Sequence, residues 1–129
     1  AGIATLTEIM TRPDFYQVLE AKTNALCEGI GVAAEEAGVS IQSHRLGSMF
    51  GMFFNSCPVT DYTSAATSDQ EAFKVWFHTM LAQGVYLAPS QFEAGFMSAS
   101  HSDADIEKTV SAAKVAFASV VEAIRKKGK

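Results

Sequence analysis

Glu93 is the side chain whose surroundings in this sequence are most suited to bind a ligand. It lies in a polar connection between two short apolar runs, residues 85–88 and 94–99, which we predict to be strands. Pro89 opens the connection, and its ring fixes φ, removes an amide donor and pushes Ala88 toward extended geometry. A carboxylate held by a stiff loop is often functional, and a solvated loop carboxylate is the alternative interpretation.

The histidines do not indicate a metal site. His44, His78 and His101 fall on different predicted elements, and none has a metal-ligand spacing with Cys, Asp or Glu. We therefore expect structural or surface roles for them, and no metal. The sequence also has no Gly-x-Ser-x-Gly motif, and bulky residues crowd the glycines of residues 47–51, which favours a buried strand over a phosphate-binding loop.

The lysines fall on polar helix faces or in the tail, where solvated amines are poor nucleophiles. They are Lys22, Lys74, Lys108, Lys114, Lys126, Lys127 and Lys129. We expect none of them to act in covalent catalysis, and we assign no catalytic residue to this chain.

The stretch around Glu93 resembles a family signature. Residues 87–98 read Leu-Ala-Pro-Ser-Gln-Phe-Glu-Ala-Gly-Phe-Met-Ser, which is similar to a motif of the glutamate-1-semialdehyde aminomutases. These are pyridoxal-phosphate enzymes of the class III aminotransferase group. Residues 47–54 and 101–106 agree with the same family. The resemblance covers nearly all of this chain but only the C-terminal part of the family's chain.

The resemblance implies a fold and a place for the cofactor. Residues 1–129 would be a single domain, the small C-terminal domain of a fold-type I pyridoxal-phosphate-dependent transferase. The lysine and the other residues that bind pyridoxal phosphate belong to the family's large domain, which is absent here, so this chain would hold no cofactor-binding residue. The full-length enzyme, expected to be a homodimer, would convert glutamate-1-semialdehyde to 5-aminolevulinate for tetrapyrrole synthesis.

The resemblance also implies a role for Glu93. Related class III aminotransferases present an arginine to a substrate carboxylate, whereas the aminomutases carry glutamate in a Gln-Phe-Glu motif, here at position 93. A carboxylate can bind a substrate ammonium that an arginine would repel. Ser90 and Gln91 of the same motif are further candidate substrate-binding residues. Two alternatives stay open: another class III ω-aminotransferase, or a free-standing, non-catalytic interaction domain.

Length and charge narrow the class of protein. A chain of 129 residues suffices for one compact domain. The formal charge of −4 disfavours nucleic acid as a partner, and the basic residues 125–129 suit the C-terminal end of a helix.

No apolar run is long enough to span a bilayer, so no membrane partner is expected. Residues 1–10 read as if already within a helix, without an initiator Met, which suggests a truncated start.

Two cysteines, Cys27 and Cys57, share no metal-like spacing and provide no support for a disulfide. Together with the absence of a secretory signal pattern at the N-terminus, they favour a reducing compartment. We expect a cytoplasmic protein, or a plastid protein if the source is a plant or alga.

The elements that must position Glu93 follow from periodicity and caps. The pattern predicts helices over residues 1–10 and from Pro13 to the C-cap Gly38, strands over 39–45 and 46–54, and a loop over 55–67. Capping-box spacings predict helix starts at Ser68 and at Ser102. This order indicates an α+β fold, with helices packed on one face of a mainly antiparallel sheet.

Overall fold

The structure, a computed structural model, describes residues 1–127. Gly128 and Lys129, the end of the basic tail, lie outside the described residues. The elements, in chain order, are α1 (Gly2–Met10), α2 (Phe15–Ala37), β1 (Gln42–Leu46), β2 (Met49–Phe53), α3 (Tyr62–Ala65), α4 (Gln70–Ala82), β3 (Gly95–Phe96) and α5 (Asp103–Lys127).

Helix α2 has the predicted end and a slightly later start. Asp14 is its N-cap, so the predicted start, Pro13, lies just before the cap. Gly38 ends the helix with a left-handed φ of 71°, and its N–H donates to the carbonyl oxygens of Ala34 and Glu35. Glycine adopts this conformation without a Cβ clash, which makes the C-cap readable from sequence. Tyr16, in the first turn of the helix, is exposed.

The sheet has three antiparallel strands in the order β1-β2-β3. The hairpin of β1 and β2 pairs Leu46 with Met49 through the two-residue turn Gly47–Ser48. Gly47 has a φ of 59°, the positive value that short hairpin turns require at their first position. Strand β1 therefore ends at Leu46, one residue later than the predicted end at residue 45.

The helices pack on one face of this sheet, as predicted for the α+β fold. Helix α5 packs against both α2 and α4, and α2 packs against β1 and β2. Phe54, Trp76 and Phe117 form the aromatic centre of the core, with Trp76 and Phe117 ring centroids 4.4 Å apart. Phe117 is fully buried and Trp76 nearly so. Burial of these large side chains is the main source of stability for the packing of the helices on the sheet.

One predicted strand is not formed. Residues 85–88 have no regular structure, and β3 is limited to Gly95–Phe96. Among the described residues, no backbone hydrogen bond joins residues 86–88 to another backbone group. Apolar composition and Pro89 predicted a strand, but a strand also needs a neighbour to pair with, and no described strand pairs with this segment.

The two predicted capping boxes have different outcomes. Asp69, rather than Ser68, caps α4 by accepting hydrogen bonds from the N–H groups of Glu71 and Ala72. The Ser68 side chain is instead buried and accepts a hydrogen bond from Asn55. The second box is confirmed at the start of α5, where Ser102 Oγ accepts from the Asp105 N–H and Asp105 Oδ2 accepts from the Ser102 N–H.

The segment predicted as a loop over residues 55–67 contains a helical turn, α3. Asp61 caps it through a reciprocal pair of hydrogen bonds with Ser64. The Asn55 side-chain amide donates to Thr67 Oγ1 and Ser68 Oγ, 3.0 and 3.2 Å away. These bonds hold both ends of the segment against the start of α4.

Candidate functional site

A tight turn over residues 90–93 presents Glu93. The Glu93 N–H donates to the Ser90 carbonyl oxygen at 3.1 Å, which makes Ser90 the first residue of a β-turn. The Phe92 N–H donates to Ser90 Oγ at 3.2 Å. The Phe92 ring lies 5.8 Å from that of Tyr62. Ser90 therefore contributes to the site by shaping the turn.

The Glu93 side chain is exposed and lines a mainly apolar groove of about 260 Å³. Leu46, Met49 and Phe53 of the hairpin line this groove with it, and His44 lies at its side. Among the described residues, none donates a hydrogen bond to the Glu93 carboxylate or forms an ion pair with it. Arg45, also in the groove lining, pairs with Glu20 at 3.0 Å. The carboxylate is thus available to a cationic ligand.

Gln91 lies in the same turn but has a different environment from Glu93. Its side chain is only 5% exposed. Neither its amide nitrogen nor its amide oxygen has a hydrogen-bond partner within residues 1–127. It lines a cleft of about 60 Å³ together with Ser43, Ser90 and Gly51. Glu93 lines this cleft as well, and Gln91 also lines the groove of Glu93, so the structure keeps the two residues together but buries Gln91 and exposes Glu93.

The remaining reactive side chains do not assemble with Glu93 into a metal site. Within residues 1–127, no group of three or more His, Cys, Asp or Glu side chains is placed to hold a metal ion. Cys27 and Cys57 are free thiols, and Cys57 is exposed. Burial raises the pKa of the Cys27 thiol, partly offset by the positive charge of Arg45. None of the helices that the structure describes has the length and apolar character needed to cross a membrane.

Comparison with known proteins places this geometry in a family. The chain is 51% identical over 118 residues to a glutamate-1-semialdehyde 2,1-aminomutase from Desulfosudis oleivorans, which covers 92% of this chain. It is 48% identical over 120 residues to the enzyme of the same name from Laribacter hongkongensis. No protein-family model matches the chain. The chain belongs to the glutamate-1-semialdehyde 2,1-aminomutase family. It spans 27% and 28% of the length of these two aminomutases.

Solved structures confirm the fold. The chain superposes on an omega-transaminase from Sphaerobacter thermophilus with a TM-score of 0.75 and 24% identity, over 85% of this chain and 25% of that one. A transaminase with PLP bound gives a TM-score of 0.74 at 22% identity, over 96% of this chain and 27% of that chain. At these identities the similarity establishes a shared fold.

The lysines described in this aminomutase-family chain do not fit the cofactor. Lys22 Nζ donates to the carbonyl oxygens of Ala99 and His101, at 3.2 and 2.6 Å, and so ties α2 to the segment before α5. Lys114 forms an ion pair with Glu36. Among the described lysines, none lines the groove that contains Glu93. Among the described residues, the groove that contains Glu93 therefore lacks the lysine that a pyridoxal-phosphate site requires.

An exposed apolar row crosses the outer face of the sheet, opposite the helices. Leu46 pairs with Met49, which pairs with Phe96 on its other side. Directly opposite residues of paired strands point to the same face, and these three side chains are 76%, 39% and 68% exposed. Sequence reasoning missed the row because it depends on register. It indicates a face suited to a protein contact.

Proposed function

We propose that this chain is the small C-terminal domain of a glutamate-1-semialdehyde 2,1-aminomutase. The full-length protein would convert glutamate-1-semialdehyde to 5-aminolevulinate, the precursor of tetrapyrroles. Identity near 50% to two such enzymes supports the assignment. The span of about a quarter of their length supports a position as one domain of a longer polypeptide.

The exposed, unpartnered carboxylate of Glu93 carries the proposal. The reaction moves an amino group between neighbouring carbons, so the substrate carries an ammonium whose position must be controlled. A carboxylate at the rim of an apolar groove can bind that ammonium by a charge-assisted hydrogen bond, which is stronger than a neutral one. An arginine at the same place would favour a substrate carboxylate instead.

Ser90 supports this role by closing the turn on which Glu93 stands. We keep Ser90 and Gln91 in the proposed substrate-binding motif, with Glu93 as its charged group. Pyridoxal phosphate, which would supply the chemistry of amino-group exchange, is assigned to the large domain of the same polypeptide. That assignment agrees with the poor fit of the described lysines.

The outer face of the sheet is the surface we assign to contact with the large domain. Burying Leu46, Met49 and Phe96 there would remove apolar surface from water, at about 25 cal/mol per Å². We further propose that the full-length enzyme is a homodimer and that it acts in the cytoplasm, or in the plastid of a plant or alga.

The test is an assay of the full-length protein, expressed from the complete reading frame and loaded with pyridoxal phosphate. We expect it to convert glutamate-1-semialdehyde to 5-aminolevulinate without a second amino acceptor. Turnover that depends on an added keto acid, with no 5-aminolevulinate, would instead identify an ω-aminotransferase. A reading frame that encodes no lysine-bearing large domain would favour a free-standing interaction domain.

A further inference from the structure

The Gln91 carboxamide combines burial with a complete lack of partners. The side chain is 5% exposed, and its Nε2 and Oε1 atoms are both without a hydrogen bond among the described residues. Burying an amide without partners is costly, because its hydrogen bonds to water are lost and not replaced. Native proteins therefore satisfy such groups, commonly through ordered water.

The cleft that Gln91 lines has suitable size and chemistry for water. Its volume of about 60 Å³ exceeds the roughly 15 Å³ that one water needs but is far below the several hundred Å³ of a substrate pocket. The polar residues Ser43 and Ser90 line it, and so do the aromatic residues Phe73 and Trp76. A water in the cleft can therefore form hydrogen bonds with the polar residues of the lining and contact the aromatic ones.

An unpaired strand edge also lines the cleft. Strand β3 pairs with Met49 and Phe50 only, so the sheet edge of β2 beyond Phe50 has no partner strand on that side. Gly51 and Met52 line the cleft at this edge. Backbone groups there can share hydrogen bonds with a water that also contacts Gln91.

We propose that Gln91 is a positioning residue whose amide, through ordered water in this cleft, ties the 90–93 turn to the edge of β2 and so orients Glu93. This inference rests on the proposed role of Glu93. Gln91 is the second residue of the turn, and Glu93 is the fourth. A rotation of the turn would therefore move the Glu93 carboxylate directly, and small displacements of a binding group are expensive in catalysis.

The first test is Gln91→Met in the full-length enzyme, which keeps the side-chain length and removes both polar atoms. We expect a lower Tm and a kcat/KM reduced by roughly tenfold. Gln83→Met, the same change at the exposed C-cap of α4, is the matched control and should leave both values unchanged. A higher Tm with unchanged kinetics would overturn the proposal, since removing a truly unsatisfied buried amide stabilises a protein.

A double-mutant cycle separates positioning from general structural damage. In a Glu93→Gln background, Gln91→Met should reduce kcat/KM by less than about twofold, because the group it positions has already lost its charge. An equal reduction in both backgrounds would overturn the positioning role. Circular dichroism on each variant confirms that the comparison is between folded proteins.

A crystal structure of the full-length enzyme provides the direct observation. We expect ordered water within about 3.2 Å of the Gln91 amide and of a backbone group of β2. A direct protein partner for both amide atoms would overturn the water bridge. If the wild type made no 5-aminolevulinate, the proposed function would fail, while the Tm comparison and the crystal structure would still decide whether Gln91 binds water in the turn.

Discussion

The ring of Phe50 lies against the backbone of Gly95, so close that a Cβ atom at position 95 would come within 2.5 Å of Phe50 Cζ and 2.8 Å of Cε2. The two residues are also partners in the β2–β3 register. Phe50 packs against the hydrophobic core on the inner face of the sheet. Through this contact the core fixes the strand that begins two residues after Glu93.

Gly95→Ala should therefore destabilise the protein and disturb the site. We expect a loss of about 1–3 kcal/mol in the free energy of unfolding, because the added methyl group must displace the Phe50 ring or the strand. Urea denaturation measures this loss. Gly51→Ala is the control, since a Cβ at that position meets no atom within 4 Å. Phe50→Leu in the Gly95→Ala background should recover part of the stability; no recovery would show that the ring is not the obstacle.

Replacing Glu93 tests the proposed ammonium contact. Glu93→Gln keeps the size and removes the charge, and the loss of one charge-assisted hydrogen bond should cost about 1.5–3 kcal/mol, roughly ten- to a hundredfold in kcat/KM. Glu93→Arg should be worse, because it would repel the ammonium. Steady-state conversion of glutamate-1-semialdehyde measures both, with cofactor absorbance recorded on the same samples.

The matched control for Glu93 is Glu35→Gln on the exposed side of α2. It should leave both conversion and cofactor absorbance unchanged. Wild-type rates in Glu93→Gln would contradict the proposed ammonium contact. They would favour the alternative interpretation of Glu93 as a solvated loop carboxylate.

Two glycines in α2 should respond in opposite directions to the same substitution. A Cβ at Gly29 would lie 2.5 Å from Val110 Cγ2 of α5, whereas a Cβ at Gly31 would meet nothing within 4 Å. Because valine is stiff at χ1, it cannot move aside cheaply. We expect Gly29→Ala to lower stability and Gly31→Ala to raise it by up to about 1 kcal/mol through helix propensity. Thermal unfolding of both variants checks this, and equal effects would contradict a close α2–α5 contact at Gly29.

The cap of α5 should make part of the stability depend on pH. Hydrogen bonds from the backbone N–H and side chain of Ser102 hold the pKa of Asp105 below its usual value. A carboxyl with a lowered folded-state pKa contributes stability above its unfolded pKa and loses it as pH falls through the folded pKa. Asp105→Asn should therefore be less stable than wild type at neutral pH, with a difference that shrinks in acid.

Thermal unfolding from neutral to acidic pH measures the Asp105 effect. Asp103→Asn is the control, because the Asp103 side chain makes no hydrogen bond with another described residue. Ser102→Ala should cost about 1 kcal/mol, as is usual for the loss of an N-cap. A difference for Asp105→Asn that stayed constant across the pH range would argue against the charged cap.

Local signals in the sequence predicted the elements whose causes are themselves local. Gly38 ends α2 because glycine tolerates the left-handed C-cap, and the Ser102–Asp105 box forms within four consecutive residues. The α+β class and the exposed position of Glu93 in a polar connection were also predictable. Periodicity and turn chemistry operate over short distances, so a single sequence contains this information.

Tertiary structure decided what depends on residues far apart in the chain. Residues 85–88 have strand-like composition, yet no described strand pairs with them. Ser68 has the sequence of an N-cap but is buried against Asn55, which leaves Asp69 to cap α4. The burial of Gln91 beneath a turn that exposes Glu93 likewise depends on how the turn packs against β2. Pairing and burial are properties of the assembled fold, because the groups that satisfy or exclude a side chain come from other elements.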